Sequence, residues 1–284
     1  MPEKIWVALS FPDSPEFVRL VAGEGKVQLA RIALEIARDA YPDLEIESYL
    51  MRIQELAERI RARCRPRAKV RDILGQINWV LFVEEEIRAN HEDYYDPRNS
   101  YLNEVLDRRL GIPISLSVLY WTVAERVGLS MAGVNLPVHF MLRVEEGSQT
   151  WFVDSFHAGA IYNRKHCQER LSEIAERPVV LTDSLVEPCS IRVVVTRMLR
   201  NLKAIYAKSQ DFSSLLPVQR RLTFLNLEEP VELRDLGILC AQTHRLGEAV
   251  DPLQEYLDMD PQGDDAEEIR NLLKFIRRQL AEWN

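Results

Sequence analysis

The segment from Pro113 to Val127 predicts a helix that is apolar on nearly all of its sides. A helix that is hydrophobic all round belongs in the centre of a domain, because any exposed side would leave apolar surface in water. Pro113 suits the first turn, where no backbone hydrogen bond is lost, and Gly128 closes the segment. The fold must therefore be built around this helix, with other elements covering it.

Helical segments and a small sheet are predicted to supply that cover. Apolar residues recur at the spacing of one helix face before the buried helix, and they alternate as in an antiparallel hairpin after it. The predicted helices cover 27–40, 46–62 and 70–87, the strands cover 138–144 and 151–154, and 155–162 is a candidate third strand. From Ser190 the chain is helical again. The predicted fold class is therefore α+β, and mostly α.

The C-terminal helices carry a repeat signal. Pro230 and Pro261 each close a pair of predicted helices, and their separation is near the ~34 residues of a tetratricopeptide repeat. Ala249 supplies the small packing residue of such a unit. A generic helical hairpin is the alternative, because the first pair lacks the glycine and the alanine. Two domains are predicted, one over residues 1–185 and a helical one over residues 190–284.

Composition excludes several classes of function. The net charge is −8 and the pI is about 5.3, which argues against a protein that binds nucleic acid through bulk charge. The four cysteines are far apart, without the paired spacing of a zinc knuckle, and they fit a reducing cytoplasm. No run approaches the ~18 apolar residues of a membrane span, and the N-terminus does not look like a secretion signal. We expect a cytoplasmic protein without a cofactor.

The basic residues concentrate in one cluster, between Arg61 and Arg71, which reads R-A-R-C-R-P-R-A-K-V-R. It is either a solvated helix end followed by a linker or a contact for an acidic partner. The sequence leaves both interpretations open.

Several motifs together carry a resemblance to a known family. They are Asn99-Ser100-Tyr101-Leu102, Arg109-Leu110-Gly111-Ile112-Pro113-Ile114-Ser115-Leu116, Pro137-Val138-His139-Phe140, Asp154-Ser155-Phe156 and Gly159. With them the chain resembles a bacterial transglutaminase-like family with a C-terminal tetratricopeptide region, a family described as regulators of invasion-gene transcription. The resemblance covers most of the chain and implies a papain-related core.

In the core that the resemblance implies, a cysteine at the start of the buried helix is the nucleophile, in a pattern similar to Gly-x-Cys. The helix N-terminus favours its thiolate, and a histidine and an aspartate come from adjacent strands. Placing Gly111-Ile112-Pro113 on this pattern puts Pro113 at the nucleophile position, with His139 and Asp154 as the remaining pair. Proline has no nucleophilic atom, so the resemblance itself implies a departure from transglutaminase chemistry.

Three other residues are candidate substitutes for the missing thiol. Ser115 would lie about 200° around the helix from Pro113, whereas Ser117 would lie on the same face but ~6 Å farther along the axis. Both serines have an alternative role in bonding to the helix backbone. Cys167 would have to fold back onto His139, and a structural cysteine is the alternative.

The role of the His139–Asp154 pair is open at this point. It either stabilises the sheet or lines a pocket that binds a ligand or acts in acid–base chemistry. The resemblance makes four further residues candidates for lining the same cleft, namely Asn99, Asn103, Ser115 and His157. His157 and His166 could add to Asp154 as metal ligands, but a continuing strand would put Asp154 and His157 on opposite faces, so no metal site is predicted.

Two functions follow from these observations. The first is a pseudoenzyme, a non-catalytic regulatory factor that binds a protein partner through its tetratricopeptide-like helices, with neither nucleic acid nor a membrane as its target. The alternative is a hydrolase or amide-processing enzyme that uses His139 and Asp154 with Ser117 or a water molecule as nucleophile. The sequence predicts no oligomeric state, and it names neither substrate nor partner.

Overall fold

The structure is a computed structural model that describes residues 11–136 and 139–282. Twelve α-helices and six strands lie within these residues. The helices are α1 (Pro15–Ala22), α2 (Leu29–Ala37), α3 (Ile46–Arg63), α4 (Val70–Asn78), α5 (Leu102–Arg108), α6 (Pro113–Val127), α7 (Arg164–Ile174), α8 (Ile191–Ser209), α9 (Phe212–Leu225), α10 (Pro230–Gln242), α11 (Leu246–Met259) and α12 (Ala266–Glu282). The strands are β1 (Arg88–Ala89), β2 (Leu110–Gly111), β3 (Ala132–Asn135), β4 (Phe140–Glu146), β5 (Gln149–Asp154) and β6 (Ala160–Tyr162). The predicted α+β, mostly helical fold is confirmed.

The chain divides into two compact units. One consists of residues 25–198, and the other combines residues 11–24 with residues 199–282, so that the division falls within α8. The domain boundary that the sequence suggested, between residues 185 and 190, stays a prediction. No helix in the described ranges combines the length and apolar character needed to cross a membrane.

Helix α6 is the centre of the first unit, as its sequence predicts. Every residue from Ile114 to Ala124 is buried. Helices α2, α3, α4 and α5 and strand β4 pack against it, so that its apolar surface is covered on all sides. Gly128 ends the helix in the left-handed conformation, with φ of 97°.

The sheet of the first unit is antiparallel, with the strand order β3-β4-β5-β6. Phe140 of β4 packs so closely on β3 that a Cβ at Gly133 would come within 2.6 Å of its ring. The next residue, Met141, points to the other face. There it joins a cluster beneath α7 that includes Phe152, Cys167 and Leu171. Each face of the sheet thus packs against a different helix.

The strands differ in detail from the sequence prediction. Residue 138, where the first strand was expected to begin, lies outside the described residues, and β4 begins at Phe140. Residues 155–162 do not form one strand, because a 3-10 turn from Ser155 to His157 separates β5 from β6. This turn decides the geometry of the candidate site.

In the other unit, helices α9 to α12 pack in sequence, each against the next. Helices α10 and α11 approach so closely that a Cβ at Gly237 would lie 2.4 Å from Cγ of Leu253. Ala249, which the repeat pattern marked as the small packing residue, is fully buried. The guanidinium of Arg221 in α9 lies 4.7 Å from the centre of the Phe11 ring and 4.8 Å from that of Phe17.

Candidate functional site

The side chains of His139 and Asp154 are hydrogen bonded to each other. His139 directly precedes β4, and Asp154 is the last residue of the adjacent strand β5. Nε2 of the histidine is 2.8 Å from Oδ1 of the carboxylate. Both residues are buried, with 4% and 0% of their surface exposed. The fold therefore brings together the two residues on which the sequence analysis centred.

His157 joins this pair, although a continuing strand would have placed it on the opposite face from Asp154. The chain instead turns at once, and Oδ1 of Asp154 accepts the backbone N–H groups of Phe156 at 3.1 Å and His157 at 3.3 Å. The turn brings Nδ1 of His157 to 2.7 Å from Oδ2 of Asp154. The expectation of opposite faces was wrong because the carboxylate itself stabilises a turn that ends the strand.

Arg170 of α7 completes the network, and sequence reasoning missed it. Its guanidinium is 2.7 Å from Nε2 of His157. Arginine can only donate, so Nε2 of His157 accepts and carries no proton. His157 is therefore the neutral tautomer with its proton on Nδ1, which donates to Asp154. No local pattern links residues that lie 13 positions apart on a loop and a helix.

The same reasoning assigns the proton of His139. Burial by itself raises the pKa of Asp154, but the hydrogen bond and charge of His139 and the contacts of His157 outweigh it and lower that pKa. The ionised carboxylate only accepts, so Nε2 of His139 donates to it. Within the described part of the chain, Nδ1 of His139 has no hydrogen-bond partner. In the neutral ring this nitrogen is a base.

His139, Asp154 and His157 also form a group that could hold a metal ion, with one ligand atom from each within 4.8 Å of the others. Such an ion would have to replace the Nδ1 proton of His157, while the positive charge of Arg170 faces the other side of that ring. His166 is not part of the group. The donor set therefore suits a hydrogen-bonded network better than a metal centre.

Asn78 packs against Gly159, at the end of the turn that carries His157, and holds the turn in place. Gly159 has φ of 71°, and a Cβ there would lie 2.0 Å from Oδ1 of Asn78. Asn78 donates to the Gly159 carbonyl at 2.8 Å and accepts from the hydroxyl of Tyr120 at 2.9 Å. Tyr120 belongs to α6, so this chain of bonds ties the turn to the central helix.

Two of the other cleft candidates, Ser115 and Asn99, have structural contacts, whereas Oδ1 of Asn103 has no hydrogen-bond partner among the described residues. Ser115 Oγ accepts the N–H of Ile112 at 3.1 Å and donates to the Asn99 carbonyl at 2.5 Å, which caps the start of α6. The Asn99 side chain donates to the Asp93 carbonyl at 2.7 Å and is fully buried. Asn103 is 2% exposed. None of these three side chains opens to solvent, and their part in a cleft stays a prediction.

Phe156 packs beside His139 and connects it to further aromatic side chains. The ring centre of Phe156 lies 6.3 Å from that of His139 and 4.7 Å from that of His91. Tyr94 packs edge-on against Phe156, with ring centres 6.4 Å apart. His91 and Tyr94 are exposed, so this aromatic cluster reaches the protein surface.

A sequence profile of the transglutaminase-like superfamily matches residues 47–200, which is more than half of the chain. The chain belongs to the transglutaminase-like superfamily. A tetratricopeptide repeat profile matches residues 202–274. The predicted combination of a transglutaminase-like domain with a tetratricopeptide region is thereby confirmed.

Relatives of known sequence support the assignment. The chain is 34% identical over 250 residues to a UPF0162 protein of Xylella fastidiosa (strain Temecula1 / ATCC 700964), across 86% of this chain and 88% of the relative. It is 33% identical over 141 residues to F-box only protein 21 of Mus musculus, across 47% of this chain and 22% of that protein. A crystal structure of menin matches with a TM-score of 0.45 and 9% identity, across 89% of this chain and 66% of menin, which is too slight a likeness to bear on function. The UPF0162 name states no activity.

In this transglutaminase-like chain, the residue at the start of the buried helix is Pro113, the first residue of α6. Ser117, one turn further along, is fully buried, and its Oγ has no hydrogen-bond partner among the described residues. It therefore forms no bond with His139 in this structure. A nucleophile at this position would need its hydroxyl within reach of the histidine.

All four thiols of this member of the superfamily have raised pKa values. Cys167 is buried against Met141, with its Sγ 3.6 Å from Sδ, and burial raises its pKa to about 12. Burial also raises the pKa of Cys64 and of Cys189, and raises that of Cys240 to about 11. A catalytic thiol needs a lowered pKa, because the thiolate is the nucleophile.

Proposed function

We propose that this protein is a non-catalytic member of the transglutaminase-like superfamily that acts as a regulatory factor by binding a protein partner. The observation that carries the proposal is Pro113 at the first position of α6, in a chain that keeps the hydrogen-bonded His139–Asp154 pair. The raised pKa of every cysteine agrees with it, because no other thiol takes the role. The four free cysteines also agree with a cytoplasmic location.

The repeat region supports the binding half of the proposal. Tetratricopeptide repeats generally mediate protein–protein interaction, and the matching profile covers residues 202–274. Val231 and Phe275 are large apolar side chains of these helices that remain 47% and 58% exposed. Apolar side chains of this kind often mark interaction surfaces. We therefore assign partner binding to the tetratricopeptide-like helices.

A substrate screen tests the absence of catalysis. Full-length wild type and His139→Ala are assayed on glutamine-containing peptides with an amine acceptor, and on panels of esters and amides. We expect equal background rates, because no nucleophile stands at the helix start. A rate that depends on His139 would overturn the non-catalytic assignment.

Partner capture tests the binding surface. Full-length chain carrying Val231→Asp and Phe275→Asp is compared with wild type and with a control that carries Met51→Asp, since Met51 is 61% exposed in the other unit. We expect the double variant to lose a partner that wild type and the control retain. If the double variant captures every partner of wild type, these helices are not the contact surface.

A second candidate function rests on one specific observation, the unpartnered Nδ1 of His139. A base whose other nitrogen is held by a buried carboxylate is the arrangement of acid–base catalysis. The candidate is a hydrolase or amide-processing enzyme with a water molecule as nucleophile. In the same screen it predicts a rate that is lost in His139→Ala and unaffected by thiol-blocking reagents, which separates it from cysteine chemistry.

A further inference from the structure

The chain between α3 and α4 borders a groove of about 770 Å³ in the unit formed by residues 25–198. This volume lies within the range of ligand sites, about 300–1,000 Å³. Its lining includes five cationic side chains and one acidic side chain, namely Arg63, Arg65, Arg67, Lys69, Arg71 and Asp72. The groove corresponds to the basic cluster that the sequence analysis singled out.

Most of these cations are without an internal partner. Arg63 is held by Gln76 and Glu84, at 2.9 Å and 2.8 Å. In contrast, Arg65, Arg67 and Lys69 are exposed, and across residues 11–136 and 139–282 they form no ion pair or side-chain hydrogen bond. The chain holds 44 acidic and 36 basic residues, so carboxylates are plentiful. In such a chain, the gathering of three unpaired cations around one groove points to an anionic partner from outside.

One of these cations also occupies a costly backbone conformation. Arg67 has φ of 59°, in a turn closed by the N–H of Ala68 and the carbonyl of Arg65 at 3.1 Å. This left-handed region is unfavourable for residues with a Cβ, and glycine would occupy it freely. The turn therefore carries a side chain where glycine would make it more stable, and that side chain is a cation lining the groove.

Aromatic rings extend the surface. Trp79 lines the groove and is 47% exposed, with the guanidinium of Arg63 at 5.6 Å from its ring centre. A second depression of about 580 Å³ shares Lys69, Arg71 and Asp72 with the first, and there Arg71 lies 4.9 Å from the ring centre of Trp151. Glu146 also lines this depression, and its carboxylate accepts hydrogen bonds from the Val70 N–H and from Nε1 of Trp151. The combined surface suits a ligand that carries several separated negative charges and some apolar groups.

We infer that this groove binds an acidic segment of a partner protein. The carboxylates of a peptide rich in aspartate and glutamate can pair with the cations of the groove, and the negative charge is then confined to the groove. The aliphatic parts of the same side chains can contact Trp79 and Trp151. A long nucleic acid would extend beyond the groove over a protein whose net charge is −8, which repels it. The inference concerns a different part of the chain from the tetratricopeptide-like helices, and it holds whether or not the His139 pair is catalytic.

Binding of a fluorescein-labelled oligoglutamate peptide to the full-length protein, followed by anisotropy, tests the inference. We expect saturable binding that weakens with added salt and is reduced about tenfold or more by the double variant Arg65→Glu/Arg67→Glu, because several exposed ion pairs are lost and reversed. The matched control is Arg177→Glu/Lys274→Glu, which changes the net charge equally at exposed sites outside the groove lining. We expect the control to bind within about twofold of wild type. Equal loss in both double variants, or no loss in the groove variant, overturns the inference.

A milder substitution and a second ligand make the test more specific. Arg67→Gly deletes one cation and relieves the left-handed strain, so it should raise the melting temperature while weakening peptide binding about threefold. Unchanged peptide binding by this well-folded variant counts against the groove. A labelled single-stranded DNA oligonucleotide of equal charge is measured in parallel. Tighter binding of the DNA than of the peptide, lost in the groove variant, would make the groove a nucleic-acid site and overturn the inference.

Discussion

Oδ1 of Asp154 accepts a hydrogen bond from Nε2 of His139 at 2.8 Å, in a part of the protein where both side chains are almost completely buried. A buried carboxylate is stable only where donors surround it. Asp154 has them in the two histidines and in two backbone N–H groups of the following turn. The fold therefore supplies the donors that stabilise the buried Asp154 carboxylate, whether or not the pair acts on a substrate.

The first prediction concerns the stability of this pair against acid. The pKa of Asp154 is lowered in the folded protein, below the value of about 3.9 in an unfolded chain. Its contribution to the free energy of unfolding is therefore complete above the unfolded pKa and is lost as pH falls through the folded pKa. Asp154→Asn should destabilise the protein by about 3 kcal/mol at neutral pH. The difference from wild type should shrink below about pH 4.

Chemical denaturation of wild type and variant at a series of pH values measures this difference. Asp43→Asn, at an exposed acidic residue, is the control and should leave the free energy of unfolding nearly unchanged. A difference between wild type and Asp154→Asn that stays constant through the acid range would contradict the lowered pKa.

The second prediction restores the missing thiol. In Pro113→Cys, the new thiol stands at the first position of α6, where the helix N-terminus favours the thiolate. We expect it to react with iodoacetamide at neutral pH about tenfold faster than Cys64, whose pKa is raised by burial. Loss of the proline should cost about 0.5–1 kcal/mol of stability.

Mass spectrometry of the labelled peptides provides the measurement, with Cys64 as the internal reference. Adding His139→Ala to Pro113→Cys should slow labelling of the new cysteine, if the histidine faces the helix start. If the new cysteine is labelled as slowly as Cys64, and at the same rate with and without His139, the His139–Asp154 pair does not activate a thiol at this position.

The third prediction compares two glycines in the same backbone region. Gly159 and Gly147 have φ of 71° and 62°, so alanine is strained at both. A Cβ at Gly147 meets no described atom within 4 Å, whereas one at Gly159 would lie 2.0 Å from Oδ1 of Asn78. We expect Gly147→Ala to cost about 1 kcal/mol and Gly159→Ala about 3 kcal/mol or more in the free energy of unfolding. Equal costs in urea denaturation would mean that Asn78 does not hold the turn.

The fourth prediction tests the close approach of α10 and α11. Gly237→Ala should destabilise the protein by about 1–3 kcal/mol, because the added Cβ would overlap the side chain of Leu253. Leu253→Ala alone should also destabilise, by about 2–5 kcal/mol, since Leu253 is fully buried.

A double-mutant cycle then separates packing from helix propensity. In the Leu253→Ala background, Gly237→Ala should cost little or even stabilise, because space is available and alanine is the better helix former. Gly247→Ala, where the new Cβ meets no atom of the described residues within 4 Å, is the control. Additive costs in the cycle would refute direct contact between the two positions.

The sequence predicted much of the architecture because its signals are local. A helix that is apolar on all sides, such as α6, is stable only in the centre of a domain. Pro113 and Gly128 mark its two ends because of their own backbone preferences. The helical pairs after Ser190 were also predictable locally, because each helix carries one apolar stripe at helical spacing. Strand alternation located β4 and β5, and with them His139 directly before β4 and Asp154 at the end of β5.

The site itself depended on contacts that no local pattern carries. The sequence pattern placed His157 on the opposite face from Asp154 because it assumed that the strand continues. In the structure, the Asp154 carboxylate accepts the N–H groups of Phe156 and His157, and the chain turns there. Arg170 became part of the network only when α7 packed beneath the sheet.

By itself, then, the sequence determined that this chain has a buried central helix, a small sheet and helical repeats, and that proline stands at the helix start. Only the tertiary structure decided which ring nitrogen of His157 and of His139 donates to Asp154, and it alone grouped the unpaired cations around one groove. The physical reason is the range of the interactions. Periodicity and capping act within a few residues, whereas hydrogen bonds between buried side chains depend on elements that meet only after the chain has folded.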